Sequence, residues 1–162
     1  MNPMISDTDI LHMSLILKQR GLRIAFAESC TGGLASEMVT SVPGASEYFL
    51  GSAVTYSNEA KERILGVSHS IIEEHGAVSE ECAKEMAAGA LKAYDSDIAG
   101  SITGIAGPGG ATFDKPVGLV YTCATDGVVT VTSVNRFYGD RDEVRRQSVD
   151  AMIRDIMKVL EG

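Results

Sequence analysis

Twice in this chain a short apolar run with strand character ends directly in a glycine-rich turn, and that repetition limits the fold more than any other feature. Residues 22–27 read as a buried strand, run into Glu28-Ser-Cys-Thr-Gly-Gly33, and are followed by a helical stretch over 34–40. Residues 97–103 read as another strand and run into Gly104-Ile-Ala-Gly-Pro-Gly-Gly110. Glycine accounts for 17 of the 162 residues, above the usual ~7%, and many of these glycines fall in the two turns. Strands that end in glycine turns and lead back through helices are the pattern of an α/β sheet.

The rest of the chain fits that frame. Asp7 and Thr8 offer caps for an opening helix with apolar positions at Ile10, Leu11, Leu15 and Ile16, stopped by Gly21. Residues 48–55 read as a strand, 58–65 as a short helix carrying Lys61, and 68–75 as a second short helix ending at Gly76. Ser79 caps a longer helix over 80–94. The β-rich runs 117–124 and 128–137 are joined by Asp126-Gly127, a tight-hairpin signal because glycine tolerates positive φ. Asp140 with Glu143 forms a capping-box pattern before a closing helix whose apolar stripe includes Val144, Met152, Ile156 and Leu160. With no linker or internal repeat, residues 1–162 are expected to form a single three-layer α/β/α domain with a mixed sheet.

Composition removes several classes of function. The 14 Lys and Arg against 22 Asp and Glu give a formal charge of −8, which repels nucleic-acid phosphates. No nucleic-acid partner is expected. No apolar run approaches the ~18 residues of a membrane span, and the acidic start lacks the basic segment of a secretory signal, so no membrane partner and a cytoplasmic location are expected. The three cysteines, Cys30, Cys82 and Cys123, have no zinc-ligand spacing and are an odd number, which favours reduced thiols. No metal or other cofactor is expected.

Four places carry groups with chemistry. Ser29, in a turn where Thr31, Gly32 and Gly33 supply successive N–H groups, is placed either as an acyl-transfer nucleophile beside an oxyanion site or as an ordinary helix cap. A Ser-His-Asp triad has no seat, because His12, His69 and His75 fall on other helices. Lys61 is the alternative base if burial lowers its pKa, and otherwise a solvated helix lysine. The glycines from Gly104 onward suit close approach of a phosphate-bearing ligand or a merely flexible loop, and they lack the Gly-Lys-Ser/Thr ending of an ATPase loop. Arg141 and Arg145, at the start of the last helix where the dipole disfavours cations, suit a bound anion or a carboxylate partner. Cys30 is either a second candidate nucleophile or a buried spectator.

Taken in order, Ala27-Glu-Ser-Cys-Thr-Gly-Gly33, Val54-Thr-Tyr-Ser-Asn-Glu-Ala-Lys61, His75-Gly-Ala-Val-Ser79, Ser101-Ile-Thr-Gly-Ile-Ala-Gly-Pro108, Lys115-Pro-Val-Gly118 and Gly139-Asp-Arg141 resemble the CinA C-terminal domain family over nearly the whole chain. The resemblance implies a three-layer α/β/α fold, a homo-oligomer, and a stand-alone nicotinamide-nucleotide amidohydrolase that converts nicotinamide mononucleotide to nicotinic acid mononucleotide and ammonia. Carried over, it makes Ser29 the nucleophile, Lys61 its base, and Tyr56 a proton relay or an orienter of the lysine. It gives Thr31, Gly32 and Gly33 the oxyanion. Ribose and phosphate of the small nucleotide substrate fall to Thr103, Gly104, Ala106, Gly107, Arg141 and Arg145. The alternatives from the residues alone are a non-catalytic nucleotide- or partner-binding module, and an amidase for another carboxamide.

Overall fold

The computed structural model describes the backbone of residues 5–162 and the side chains from Asp9 onward. In chain order the elements are α1 (Ile5–Arg20), β1 (Ile24–Glu28), α2 (Leu34–Thr40), β2 (Phe49–Val54), α3 (Asn58–Leu65), α4 (His69–His75), α5 (Glu80–Tyr94), β3 (Ile98–Gly104), β4 (Leu119–Thr125), β5 (Thr130–Arg136) and α6 (Arg141–Glu161). The strands form one sheet in the order β2-β1-β3-β4-β5. β1 runs parallel to both β2 and β3, while β4 and β5 add an antiparallel edge. The sheet is mixed, as the sequence leads one to expect. Among the described residues no helix is long and apolar enough to cross a membrane.

Strand alternation divides the core into two layers. Ile24 and Phe26 of β1 point to the face covered by α1, α2 and α6, with Met13, Leu17, Val39, Met152, Ile153 and Ile156 around them. Ala27 of β1 and Ala99 of β3 point to the other face, against Leu65, Ile72, Met86 and Ala90 of α3, α4 and α5. Small residues on that second face let α5 approach the sheet closely. The chain leaves β1 for β2 on one side and later enters β3 on the other, so the loops after β1 and β3 flank a crevice at the carboxyl ends of parallel strands. Open α/β sheets bind ligands at such a point.

Local readings shift in three places. β1 extends through Glu28, because that carboxylate is fully buried and paired instead of turning to solvent. Asp7 and Thr8 lie within α1, so neither is its cap; a cap needs non-helical backbone, and their side chains fall outside the described residues. The hairpin has a four-residue loop, 126–129. The Asp126 carboxylate accepts the N–H groups of Val128 and Val129 and draws both into the turn. The capping box at Asp140 and Glu143 forms as its spacing implies.

One close contact between helices bears on the site. A Cβ built on Gly89 of α5 would lie 2.0 Å from the Leu65 carbonyl oxygen at the end of α3. Only a glycine allows this approach, and α3 is the helix that carries Lys61. Gly89→Ala is expected to destabilise the fold by about 1–3 kcal/mol, the usual cost of overpacking, and to displace α3. Urea denaturation checks it; a midpoint equal to the wild type's would show that α3 does not need this contact.

Candidate active site

The turn after β1 is held from two sides. Glu28, fully buried, accepts the Thr31 hydroxyl at 2.8 Å and the N–H groups of Gly33 at 3.2 Å and Ala35 at 2.9 Å on Oε1. Its Oε2 accepts the Ser36 and Ser52 hydroxyls, each at 2.8 Å. All five partners are donors, which suits an acceptor-only carboxylate. From the opposite side Arg145 of α6 donates from Nε to the Cys30 carbonyl at 3.2 Å and from Nη2 to the Thr31 carbonyl at 2.6 Å. Gly33 at φ 106° then lets the chain enter α2 in a conformation that a larger residue resists.

Ser29 stands at the head of this turn, and Lys61 reaches it. Lys61 leaves the second turn of α3, is 1% exposed, and places Nζ 2.9 Å from Ser29 Oγ. Nζ also donates to the Thr55 carbonyl at 2.7 Å and the Tyr56 carbonyl at 3.4 Å. Thr55 in turn donates its N–H to the Glu28 carbonyl, so the lysine's acceptor is registered to the residue before Ser29. Burial lowers the Lys61 pKa from its ordinary 10.5. An uncharged amine has two N–H bonds and one lone pair. Two carbonyls can take the N–H bonds, leaving the lone pair for the Ser29 hydroxyl proton.

Cys30 has the opposite character. Burial raises its thiol to about 11, against the pull of its own backbone N–H and of Arg145 and Lys61. The thiolate fraction at neutral pH is then on the order of 10⁻⁴. Cys30 is a protonated wall of the cleft.

The cleft has a volume of about 300 Å³ and is walled by Ser29, Cys30, Tyr56, Lys61, Thr103, Gly104, Ala106, Gly107 and Arg141, with Asn58, Ala77, Val78, Ile105, Gly109 and Gly110. Of the residues singled out from sequence, the structure therefore gathers Ser29, Lys61, Tyr56, Thr103, Gly104, Ala106, Gly107 and Arg141 around one space. Thr31, Gly32, Gly33 and Arg145 are not among its walls. The Gly32 N–H donates to the Ser29 carbonyl at 3.0 Å and the Gly33 N–H to Glu28, so neither is available to an oxyanion. Among the described residues no backbone carbonyl accepts the N–H of Cys30 or of Thr31.

Two further roles shift. The Tyr56 ring is 62% exposed and its hydroxyl accepts from Arg141 Nη2 at 3.2 Å, so it is the main-chain carbonyl of Tyr56, not the phenol, that meets Lys61. Arg141 also donates from Nη1 to the Gly107 carbonyl at 2.7 Å and thereby ties α6, the glycine loop and the Tyr56 segment together. Thr103, 1% exposed, donates its hydroxyl to the Ala77 carbonyl at 2.8 Å. Sequence reasoning missed Glu28, whose signal was an acidic residue at the end of an otherwise apolar strand. It gave no role to Ala77 and Val78, for which small apolar residues carry no local signal.

Comparison with known proteins agrees with this architecture. The model of the CinA C-terminal domain matches residues 9–160. A CinA-like protein of Syntrophomonas wolfei is 50% identical over 140 residues, which are 86% of this chain and 34% of that protein. A CinA-like protein of Geobacter sp. strain M21 is 54% identical over 134 residues, 82% of this chain and 32% of that protein. The chain thus spans about a third of the length of these curated relatives. The crystal structure of a competence/damage inducible protein from Agrobacterium tumefaciens superposes with a TM-score of 0.93 at 34% identity, covering 100% of this chain and 99% of that one.

Proposed function

This chain belongs to the CinA C-terminal domain family, and from that premise and the geometry of its cleft we propose that it hydrolyses the carboxamide of nicotinamide mononucleotide to nicotinic acid mononucleotide and ammonia. The observation that carries the reading is the 2.9 Å contact between Lys61 Nζ and Ser29 Oγ within a cleft of about 300 Å³. That contact unites a hydroxyl with a buried amine that has no carboxylate within ion-pair distance among the described residues.

In this mechanism Ser29 Oγ bonds to the carboxamide carbon while its proton passes to Lys61 Nζ. The carbonyl electron pair moves onto oxygen. When that pair returns, the C–N bond breaks and ammonia leaves with the proton Lys61 holds. Water then gives a proton to Lys61, attacks the ester carbon, and releases the acid as Ser29 regains its hydrogen. The glycines from Gly104 to Gly110 let the sugar and phosphate lie against main chain, and Arg141 sits at the rim with a planar fork suited to a phosphate. Binding there competes with its bonds to Gly107 and Tyr56.

The test is ammonia release by the purified chain incubated with nicotinamide mononucleotide. Ammonia and nicotinic acid mononucleotide in equal amounts are expected. Thermal stabilisation by the nucleotide with no ammonia would instead make the chain a binding module, and turnover of other carboxamides alone would make it an amidase of different specificity. Cys30→Ala is expected to keep kcat within about threefold, since a thiol so weakly ionised is a poor nucleophile; abolished turnover would move the chemistry from Ser29 to Cys30. The homo-oligomer implied by the resemblance remains a proposal, read by light scattering.

A further inference from the structure

Arg145 is half-buried against the underside of the Ser29 turn and is absent from the cleft walls, so its two bonds to that turn need a purpose other than ligand binding. A trans peptide is planar, with C=O and N–H on opposite sides. Fixing the Cys30 carbonyl therefore fixes the direction of the Thr31 N–H, which shares its plane. Fixing the Thr31 carbonyl fixes the Gly32 N–H in the same way, and that N–H holds the Ser29 carbonyl. The Ser29 carbonyl shares a plane with the Cys30 N–H. The guanidinium, donating at 3.2 Å and 2.6 Å, thus acts directly on the plane of the Thr31 N–H and, together with the Leu34 N–H that also meets the Thr31 carbonyl at 3.0 Å, indirectly on that of the Cys30 N–H; among the described residues neither N–H has a backbone acceptor. The third nitrogen, Nη1, lies 3.7 Å from Asp142, which helps hold the fork in place.

We propose that Arg145 is a positioning residue for the oxyanion site: it holds the peptide planes that carry the N–H groups of Cys30, a wall of the cleft, and of Thr31, the next residue along the turn, so that they meet the oxygen that gains charge when Ser29 attacks. The inference rests on Ser29 as the nucleophile and deepens that reading. As Oγ bonds to carbon and its proton goes to Lys61, the displaced carbonyl pair becomes an oxyanion, and these two donors receive it. Arg145 touches neither substrate nor the reacting atoms. Lysine in its place keeps the charge but offers no rigid fork to hold two carbonyls at once.

The experiment follows Arg145→Lys and Arg145→Gln through two readouts: steady-state ammonia release from nicotinamide mononucleotide, and the rate of Ser29 labelling by a fluorophosphonate, followed by intact mass. In labelling the Oγ–P bond forms, the P–F bond breaks, fluoride leaves and the hydroxyl proton passes to Lys61, so the readout does not depend on the natural substrate. Both variants are expected to lose about 10²-fold in kcat, the scale of an ~1 Å misplacement, with KM little changed and labelling slowed in parallel. A raised KM at unchanged kcat would make Arg145 a substrate ligand and overturn the proposal. So would a smaller final extent of labelling at an unchanged rate, which reports misfolded molecules only. Should Arg145→Gln fail to fold, Arg145→Lys decides alone. If the wild type labels at Ser29 but releases no ammonia, the substrate reading fails while the labelling rates still decide Arg145. A wild type inert in both assays removes the nucleophile and this inference with it.

Discussion

Lys61→Met is expected to lower kcat by about 10³- to 10⁴-fold, at the upper end of what a general base contributes, while nicotinamide mononucleotide still raises the melting temperature of the variant. Methionine matches the four-atom stem of lysine, so it occupies most of the buried space beneath Ser29 without supplying a basic amine. The lost interaction belongs to the transition state, and KM should change little. Ser29→Ala is expected to lose turnover to a similar or greater extent. The double variant should be scarcely worse than either single one, because the two groups act as a unit. A Lys61→Met enzyme with more than a tenth of wild-type kcat would remove the lysine from the mechanism.

The same substitution has a signed effect on stability. Lys61 has a folded pKa below its unfolded 10.5, so between those values the unfolded chain binds a proton that the folded chain does not. Stability from this group therefore rises with pH across that window, and below it the cost of charging a buried amine is fully present. Lys61→Met removes that cost and is expected to be at least as stable as the wild type at neutral pH. Above about 9 the cysteines act oppositely: Cys30 and Cys82 are raised to about 11 and Cys123 to about 12, so their thiols ionise first in the unfolded chain. The difference between wild type and variant isolates the lysine. Turnover should likewise rise with pH through the Lys61 pKa.

What the sequence discloses of this site follows the range of the interactions. Helix caps and turns are set by residues three or four apart, so α5 and the start of α6 are legible to within a residue. Ser29 and Lys61 are legible as chemistry, since a hydroxyl in a glycine turn and a lysine at a helix start each offer few roles. Their 2.9 Å contact is not, because it depends on β1 and β2 being neighbours. Arg145 shows the limit: one turn from Arg141 on the same helix, it has the same local character. Only the packing of α6 across the Ser29 turn separates a rim residue bonded to Gly107 and Tyr56 from one bonded to the turn that carries Ser29. Gly32 and Gly33 mislead for a related reason, as their N–H groups look free until the Glu28 carboxylate and the Ser29 carbonyl are brought back to them.

Glu28 carries the largest expected effect on folding. Glu28→Ala leaves the N–H groups of Gly33 and Ala35 and the hydroxyls of Thr31, Ser36 and Ser52 without their shared acceptor. Hydroxyls can rotate toward other oxygens, whereas the two amides are fixed by the backbone leading into α2. Bonds to a charged group contribute about 1.5–3 kcal/mol each, so with partial recovery by the hydroxyls the loss is expected at about 4–6 kcal/mol. That is a large share of the ~5–15 kcal/mol by which domains are stable. Glu28→Gln retains one acceptor oxygen and is expected to cost about 1–3 kcal/mol, and Ser52→Ala, which removes a single donor, about 1 kcal/mol. Urea denaturation of the three variants orders them. A Glu28→Ala loss no greater than that of Ser52→Ala would mean the turn is set by Gly33 and Arg145 without the carboxylate. If the order holds, Glu28→Gln should also lose more kcat than stability accounts for, because the oxygen it converts to an amide faces either the amides leading into α2 or the hydroxyl of Ser52 on β2, and Ser29 hangs between those two elements.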